Sequence, residues 1–173
     1  MLNKILFFVT VLFSLGVSAQ QVNKVSLQAS GLTCSMCSNA INKAIKSLDF
    51  VEKVDANIKN SSFDIYFRPG ASIDFDKLKK KVEDAGFSVA SFIASIHFDA
   101  VKMQNDNCIL IGETAFQFIN AKEQVLDGDK MIKFLNKGFI LARDYKKNSS
   151  LLISKPCYEK AGQKQVKSYQ VTI

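Results

Sequence analysis

The chain has 173 residues, 47% of them apolar, with 23 basic and 16 acidic side chains and four cysteines. That apolar fraction excludes a disordered chain, and the length suits one ordinary domain or two small ones. Residues 20–97 carry ten basic against eight acidic side chains and residues 98–173 twelve against eight, too even a spread for a nucleic-acid binder, which gathers its charge into one stripe.

Met1 to Ala19 carries Lys4, then an uncharged run from Ile5 to Val17, then Val17-Ser18-Ala19 before Gln20. A basic start, a short apolar stretch and small residues at the cut are the three parts of a secretory signal peptide. The stretch is shorter than the roughly 20 apolar residues that span a bilayer. Residues 1–19 are therefore expected to be removed. The product would be exported, periplasmic or secreted, with no stable membrane insertion.

From Gln20 the pattern alternates between strand and helix periods. Val25, Leu27 and Ala29 alternate with Ser26, Gln28 and Ser30, as in a half-buried strand. Gly31-Leu32-Thr33 breaks that pattern, and Ala40, Ile41, Ala44, Ile45 and Leu48 then recur at helical spacing. Two further strands, Val54/Ala56/Ile58 and Phe63/Ile65/Phe67, flank the polar turn Lys59–Ser62, and Pro69-Gly70 ends the pair. Asp74 is a good cap for a second helix, with Ile73 placed to staple against Leu78 and Gly86 to terminate it. A last strand begins at Phe87. The order β-α-β-β-α-β predicts an α+β, ferredoxin-like domain over residues 20–92, with two helices on one face of an antiparallel sheet.

Beyond Phe92, strand-like alternation continues through Ala94, Ile96 and Phe98. Short β-rich runs follow at Cys108–Ile111, Phe116–Ile119, Met131–Leu135, Phe139–Ala142 and Tyr169–Ile173. They are separated by turn-like stretches at Gln104–Asn107, Asp127–Asp129, Asn136–Gly138 and Lys146–Ser150. This predicts a small all-β domain over residues 93–173, a barrel or OB-like fold. No linker composition separates the halves, so the last strand of one should run into the first of the other.

Chemistry concentrates in Cys34-Ser35-Met36-Cys37. The motif lies between the first strand and the first helix, where free backbone N–H groups and the helix dipole favour a thiolate at Cys37. A two-residue gap lets both sulfurs reach one atom. Thiolates select Cu(I) and other soft ions over hard cations. Two cysteines are too few for a structural zinc site, which takes four ligands. The same motif near a βαβ pattern also fits a thiol-disulfide oxidoreductase, though the chain has no tryptophan and no proline between the cysteines.

Gly31-Leu32-Thr33-Cys34-Ser35-Met36-Cys37 resembles the Gly-Met-Thr-Cys-x-x-Cys signature of heavy-metal-associated domains, and Val82–Phe87 resembles the end of that family's second helix. The family includes copper chaperones, the N-terminal domains of copper-transporting P-type ATPases and periplasmic mercury-binding proteins. The resemblance covers about residues 25–90. It implies that Cys34 and Cys37 are the metal ligands and that Leu32 and Phe87 pack beside the loop. Leu32 stands where the family usually has methionine. Thr33 stands where some zinc-type members carry an acidic residue, which favours Cu(I).

Met36 could be a third soft ligand but more simply faces solvent or a partner. His97, the single histidine, is read as an ordinary polar residue. Lys77, Lys79, Lys80 and Lys81 read as a solvated helix face or a docking patch. In an oxidising compartment Cys108 and Cys157 most simply pair as a disulfide, the alternatives being a second metal site or two free thiols. The combined expectation is a non-enzymatic carrier that takes Cu(I) on Cys34 and Cys37 and passes it to a metal-donor or metal-acceptor protein by ligand exchange. An acidic docking surface on that partner would match the positive charge. Hg(II) or another thiophilic ion is the alternative cargo.

Overall fold

The computed structural model describes residues 22–32, 34–152 and 166–173. The expected signal peptide, Thr33 and Cys157 lie outside them. The chain runs β1 (Val22–Ser30), α1 (Ser35–Lys46), β2 (Val51–Asn57), β3 (Ser62–Phe67), α2 (Phe75–Asp84) and β4 (Ser88–Met103). Then come β5 (Cys108–Ile111), β6 (Thr114–Phe118), β7 (Gln124–Phe134), α3 (Ala142–Asn148) and β8 (Lys167–Thr172). A single 3₁₀ turn at Ile58–Asn60 joins β2 to β3.

The first six elements have the expected β-α-β-β-α-β order, and β2-β3-β1-β4 lie side by side. Val25, Leu27 and Ala29 of β1 face the helices and meet Ile41 and Ile45 of α1 and Leu78 and Val82 of α2 in one buried core. β1 sits centrally, with Leu27 opposite Phe63 on one side and Phe92 on the other. Asp74 caps α2, its side chain accepting from the Lys77 N–H at 3.2 Å. Gly86 ends the helix at φ +87°.

The expected barrel is not confirmed. The boundary foreseen near residue 92 falls inside β4, a strand of 16 residues, and β5–β8 extend the same sheet in the order β2-β3-β1-β4-β7-β8-β6-β5. Nothing in the sequence interrupts β4, so its second half pairs with β7 as its first half pairs with β1. β6 and β8 run parallel, with Phe116 beside Tyr169.

The sheet curls around α2. Phe75 in the first turn of α2 meets Phe92 of β4, Phe134 of β7, Tyr169 of β8 and Phe116 of β6 at ring-centroid distances of 5.8, 5.1, 5.5 and 6.0 Å. Those four adjacent strands would span about 14 Å in a flat sheet, beyond the reach of one ring. Their edge-to-face packing around Phe75 makes one core of both halves.

Candidate metal centre

β1 delivers the chain to Gly31, whose φ of +81° turns it toward α1. A Cβ on Gly31 would lie 4.0 Å from Phe87 Cδ1, so glycine meets a conformational need there rather than a lack of space. Leu32 and Phe87 both pack, half-buried, against the core, as the family resemblance implied. Ser38, Ile41 and Ile45 are buried along α1 and fix the helix beneath the loop.

Cys34 is the N-cap of α1, with extended backbone, and its Sγ accepts the Cys37 N–H at 3.3 Å. A sulfur thus fills the place a serine or aspartate oxygen usually takes. The two Sγ atoms lie 2.6 Å apart, with Cys34 exposed and Cys37 partly so. Both thiols therefore point at one spot open to solvent. Two sulfurs on one metal with bonds of about 2.3 Å, the Zn–S length, stand at most roughly 4.6 Å apart. Side-chain rotation at exposed positions can open the pair that far.

The electrostatics are asymmetric. The Cys37 thiol and the Cys37 backbone N–H both donate toward Cys34, which holds the Cys34 thiol below the ordinary cysteine range. The same hydrogen bond to Cys34 pushes the Cys37 thiol up. The two thiols titrate as an interacting pair rather than independently. No acidic side chain occupies the first turn of α1, so the helix dipole acts on the sulfurs unopposed. The sulfur that receives the hydrogen bonds is the cap, Cys34, and not Cys37, which its place in the first turn had favoured.

The remaining candidates lie elsewhere or point elsewhere. Met36 is 81% exposed. His97 pairs through Nδ1 with Asp129 Oδ1 at 2.8 Å, and Asn23 donates to the same oxygen at 2.9 Å. It lies nine residues along β4 from Ser88, roughly 30 Å from the thiol end of that strand. Lys80 pairs with Asp84 at 2.9 Å, whereas Lys79 turns inward over the Phe139 ring at 5.2 Å, so the lysine run is not one solvated face. Among the described residues no group of three or more His, Cys, Asp or Glu gathers to hold a metal. Cys108 is disulfide-bonded, and Cys157, its expected partner, lies outside the described residues.

The sequence profile of the heavy-metal-associated domain matches residues 26–88. The periplasmic component of the mercuric transport protein of Pseudomonas fluorescens is 38% identical over 63 residues, which are 36% of this chain and 68% of that protein. Through this segment the chain belongs to the heavy-metal-associated family. Its heavy-metal-associated domain is also 34% identical over 71 residues to a probable copper-exporting P-type ATPase of Archaeoglobus fulgidus, covering 41% of this chain and 9% of that one. The solved structure of oxidized MerP from Ralstonia metallidurans is 34% identical, with a TM-score of 0.35 over 41% of this chain and 97% of that one. The chain thus spans less than a tenth of the length of that ATPase. The heavy-metal-associated match ends before most of β4 and all of β5–β8.

One contact had no signal in the sequence. Asp74, Asp76, Lys167 and Tyr169 form a polar link between α2 and β8, across 93 positions of chain. Only the fold brings them together.

Proposed function

We propose that this protein is an exported carrier of Cu(I), which it holds between the Sγ atoms of Cys34 and Cys37 and surrenders by ligand exchange. The observation that carries this reading is the pair of convergent sulfurs at the N-terminus of α1, one exposed and one partly so, inside a heavy-metal-associated segment. A low-coordinate thiolate site suits a soft monovalent ion. It also leaves room for an incoming partner's thiols, so each sulfur of the carrier can be replaced in turn. No catalytic base is needed. The donor or acceptor is a protein with its own thiol pair and an acidic surface facing the basic chain. Export rests on the character of residues 1–19 and on the expectation that Cys108 and Cys157 need an oxidising compartment.

A second cargo is favoured by one observation. The 38% identical relative is a component of a mercuric transport protein, and two thiolates also suit Hg(II). The test is an anaerobic titration of the reduced protein with Cu(I) against a chromogenic Cu(I) chelator, repeated with Hg(II) as competitor. One tight equivalent of Cu(I), lost in Cys34→Ser/Cys37→Ser and kept in Cys108→Ser/Cys157→Ser, is the expected result. Failure of the wild type to compete with the chelator overturns the copper reading, and preferential retention of Hg(II) replaces the cargo.

A further inference from the structure

The curl of the sheet leaves a cleft at the N-terminal end of α2. Its volume is about 580 Å³, inside the range of about 300–1,000 Å³ that small-molecule sites occupy. One lip is the loop from β3 to α2, where Arg68, Ala71 and Ile73 face the gap. The other lip is the β5–β6 hairpin, with Ile111 and Glu113. Phe75 and Phe116, both buried, form the floor.

Both lips are fixed by their own backbones. The Arg68 N–H donates to the Phe50 carbonyl at 3.0 Å and the Ala71 N–H to the Arg68 carbonyl at 3.1 Å. Gly70, at φ +72°, turns the loop, and Gly112, at φ +58°, turns the hairpin. Across the mouth, Ser72 Oγ donates to Glu113 Oε2 at 3.2 Å. The space is preformed and does not depend on a loop closing.

The mouth carries one charge of each sign, on opposite lips: Arg68 beside β3 and Glu113 on the β5–β6 hairpin. Glu113 already accepts from Ser72, while the Arg68 guanidinium has no hydrogen-bond or ion-pair partner among the described residues. A guanidinium at the rim of an apolar cleft matches a planar carboxylate, which it can bind through two parallel N–H groups. We propose that this cleft binds a small carboxylate with an apolar body, the body against Phe75, Phe116 and Ile111 and the head on Arg68. The site is independent of the metal centre. β1 separates them, with Val22 lining the cleft and Ser30 leading to the thiols, roughly 27 Å apart along the strand.

The probe is decanoate, with decanol and decyltrimethylammonium as neutral and cationic controls, added to metal-free ¹⁵N-labelled protein. Decanoate should bind saturably, with amide shifts centred on Ala71–Ile73 and Gly112–Thr114. Arg68 is exposed, so Arg68→Gln keeps the fold; it should weaken decanoate about tenfold and leave decanol unchanged. Ala71→Phe should block both, with a dispersed amide spectrum showing that it still folds. The proposal is overturned by absence of saturation at millimolar decanoate, or by shifts confined to other surfaces. Equal affinity for the cationic control, or no change in Arg68→Gln, overturns it as well.

Discussion

The hydroxyl of Tyr169 in β8 donates a 3.0 Å hydrogen bond to Oδ2 of Asp76 in α2, and Lys167 Nζ lies 3.3 Å from the same oxygen. Burial pushes the Tyr169 hydroxyl far up, and the neighbouring Asp76 carboxylate pushes it further, so it stays a donor throughout the physiological range. A hydrogen bond to a charged group contributes about 1.5–3 kcal/mol, and the partial exposure of Asp76 places this one toward the low end. Tyr169→Phe should therefore lower unfolding stability by about 1–2 kcal/mol. Urea denaturation checks this; an unchanged midpoint would mean that the link contributes nothing.

Phe75 should matter more than any other side chain of α2. Its ring touches rings on four strands, and truncating a buried phenylalanine costs about 3–5 kcal/mol. Phe75→Ala should destabilise the two halves together. Native-state hydrogen exchange would then accelerate in β1 and β8 by the same factor, whereas acceleration in one strand alone would mean that the halves open separately.

Acid stability should depend on Asp74. Burial alone would raise its carboxyl, but hydrogen bonds from Lys167 Nζ and the Lys77 backbone bring it below the usual range. A carboxyl held lower in the fold than in the unfolded chain stabilises fully above its unfolded pKa of about 3.9, and that contribution fades as pH falls through the folded value. Asp74→Asn keeps a good helix cap but loses the charge facing Lys167 at 2.8 Å. It should cost at most about 1 kcal/mol near neutrality and make the decline in stability below roughly pH 4 shallower than in the wild type.

The thiols should react unequally. Cys34 is held low by the Cys37 thiol and backbone N–H, and Cys37 is raised by the same contact. Limiting iodoacetamide at neutral pH should label Cys34 first, as peptide mapping would show. Cys37→Ala removes the thiol donor and should shift the pH profile of Cys34 alkylation upward. Labelling of Cys37 first would restore the reading based on its place in the first helical turn.

Sequence pattern was sufficient where each element carries its own period or punctuation. Val25/Leu27/Ala29, the stripe of α1, and the Asp74 and Gly86 ends of α2 all mark themselves locally, and so does the Cys34–Cys37 pair. The second half is governed by contacts distant in sequence. Asp127-Gly128-Asp129 has turn composition yet lies inside β7, because Gly128 at φ +70° sits opposite Phe98, next to the irregularity at Phe98–Val101 where Ala100 takes φ +46°. Phe139–Ala142 has strand composition but forms no strand; Phe139 is apolar because it plugs the core, 5.0 Å from the Phe92 ring and 5.3 Å from Phe134. α3 has seven residues, too few to display a helical period over a stretch that reads as a turn. The charge asymmetry within the thiol pair required the cap geometry of Cys34.

X-ray absorption at the copper edge of the anaerobic, Cu(I)-loaded protein counts the atoms bound to the metal and so reads the thiolate-pair site itself. Two sulfur neighbours and no imidazole nitrogen are expected, with the signal lost in Cys34→Ser/Cys37→Ser. A nitrogen shell, or a sulfur shell that survives that double substitution, would place the metal elsewhere in the protein and overturn the Cys34–Cys37 site.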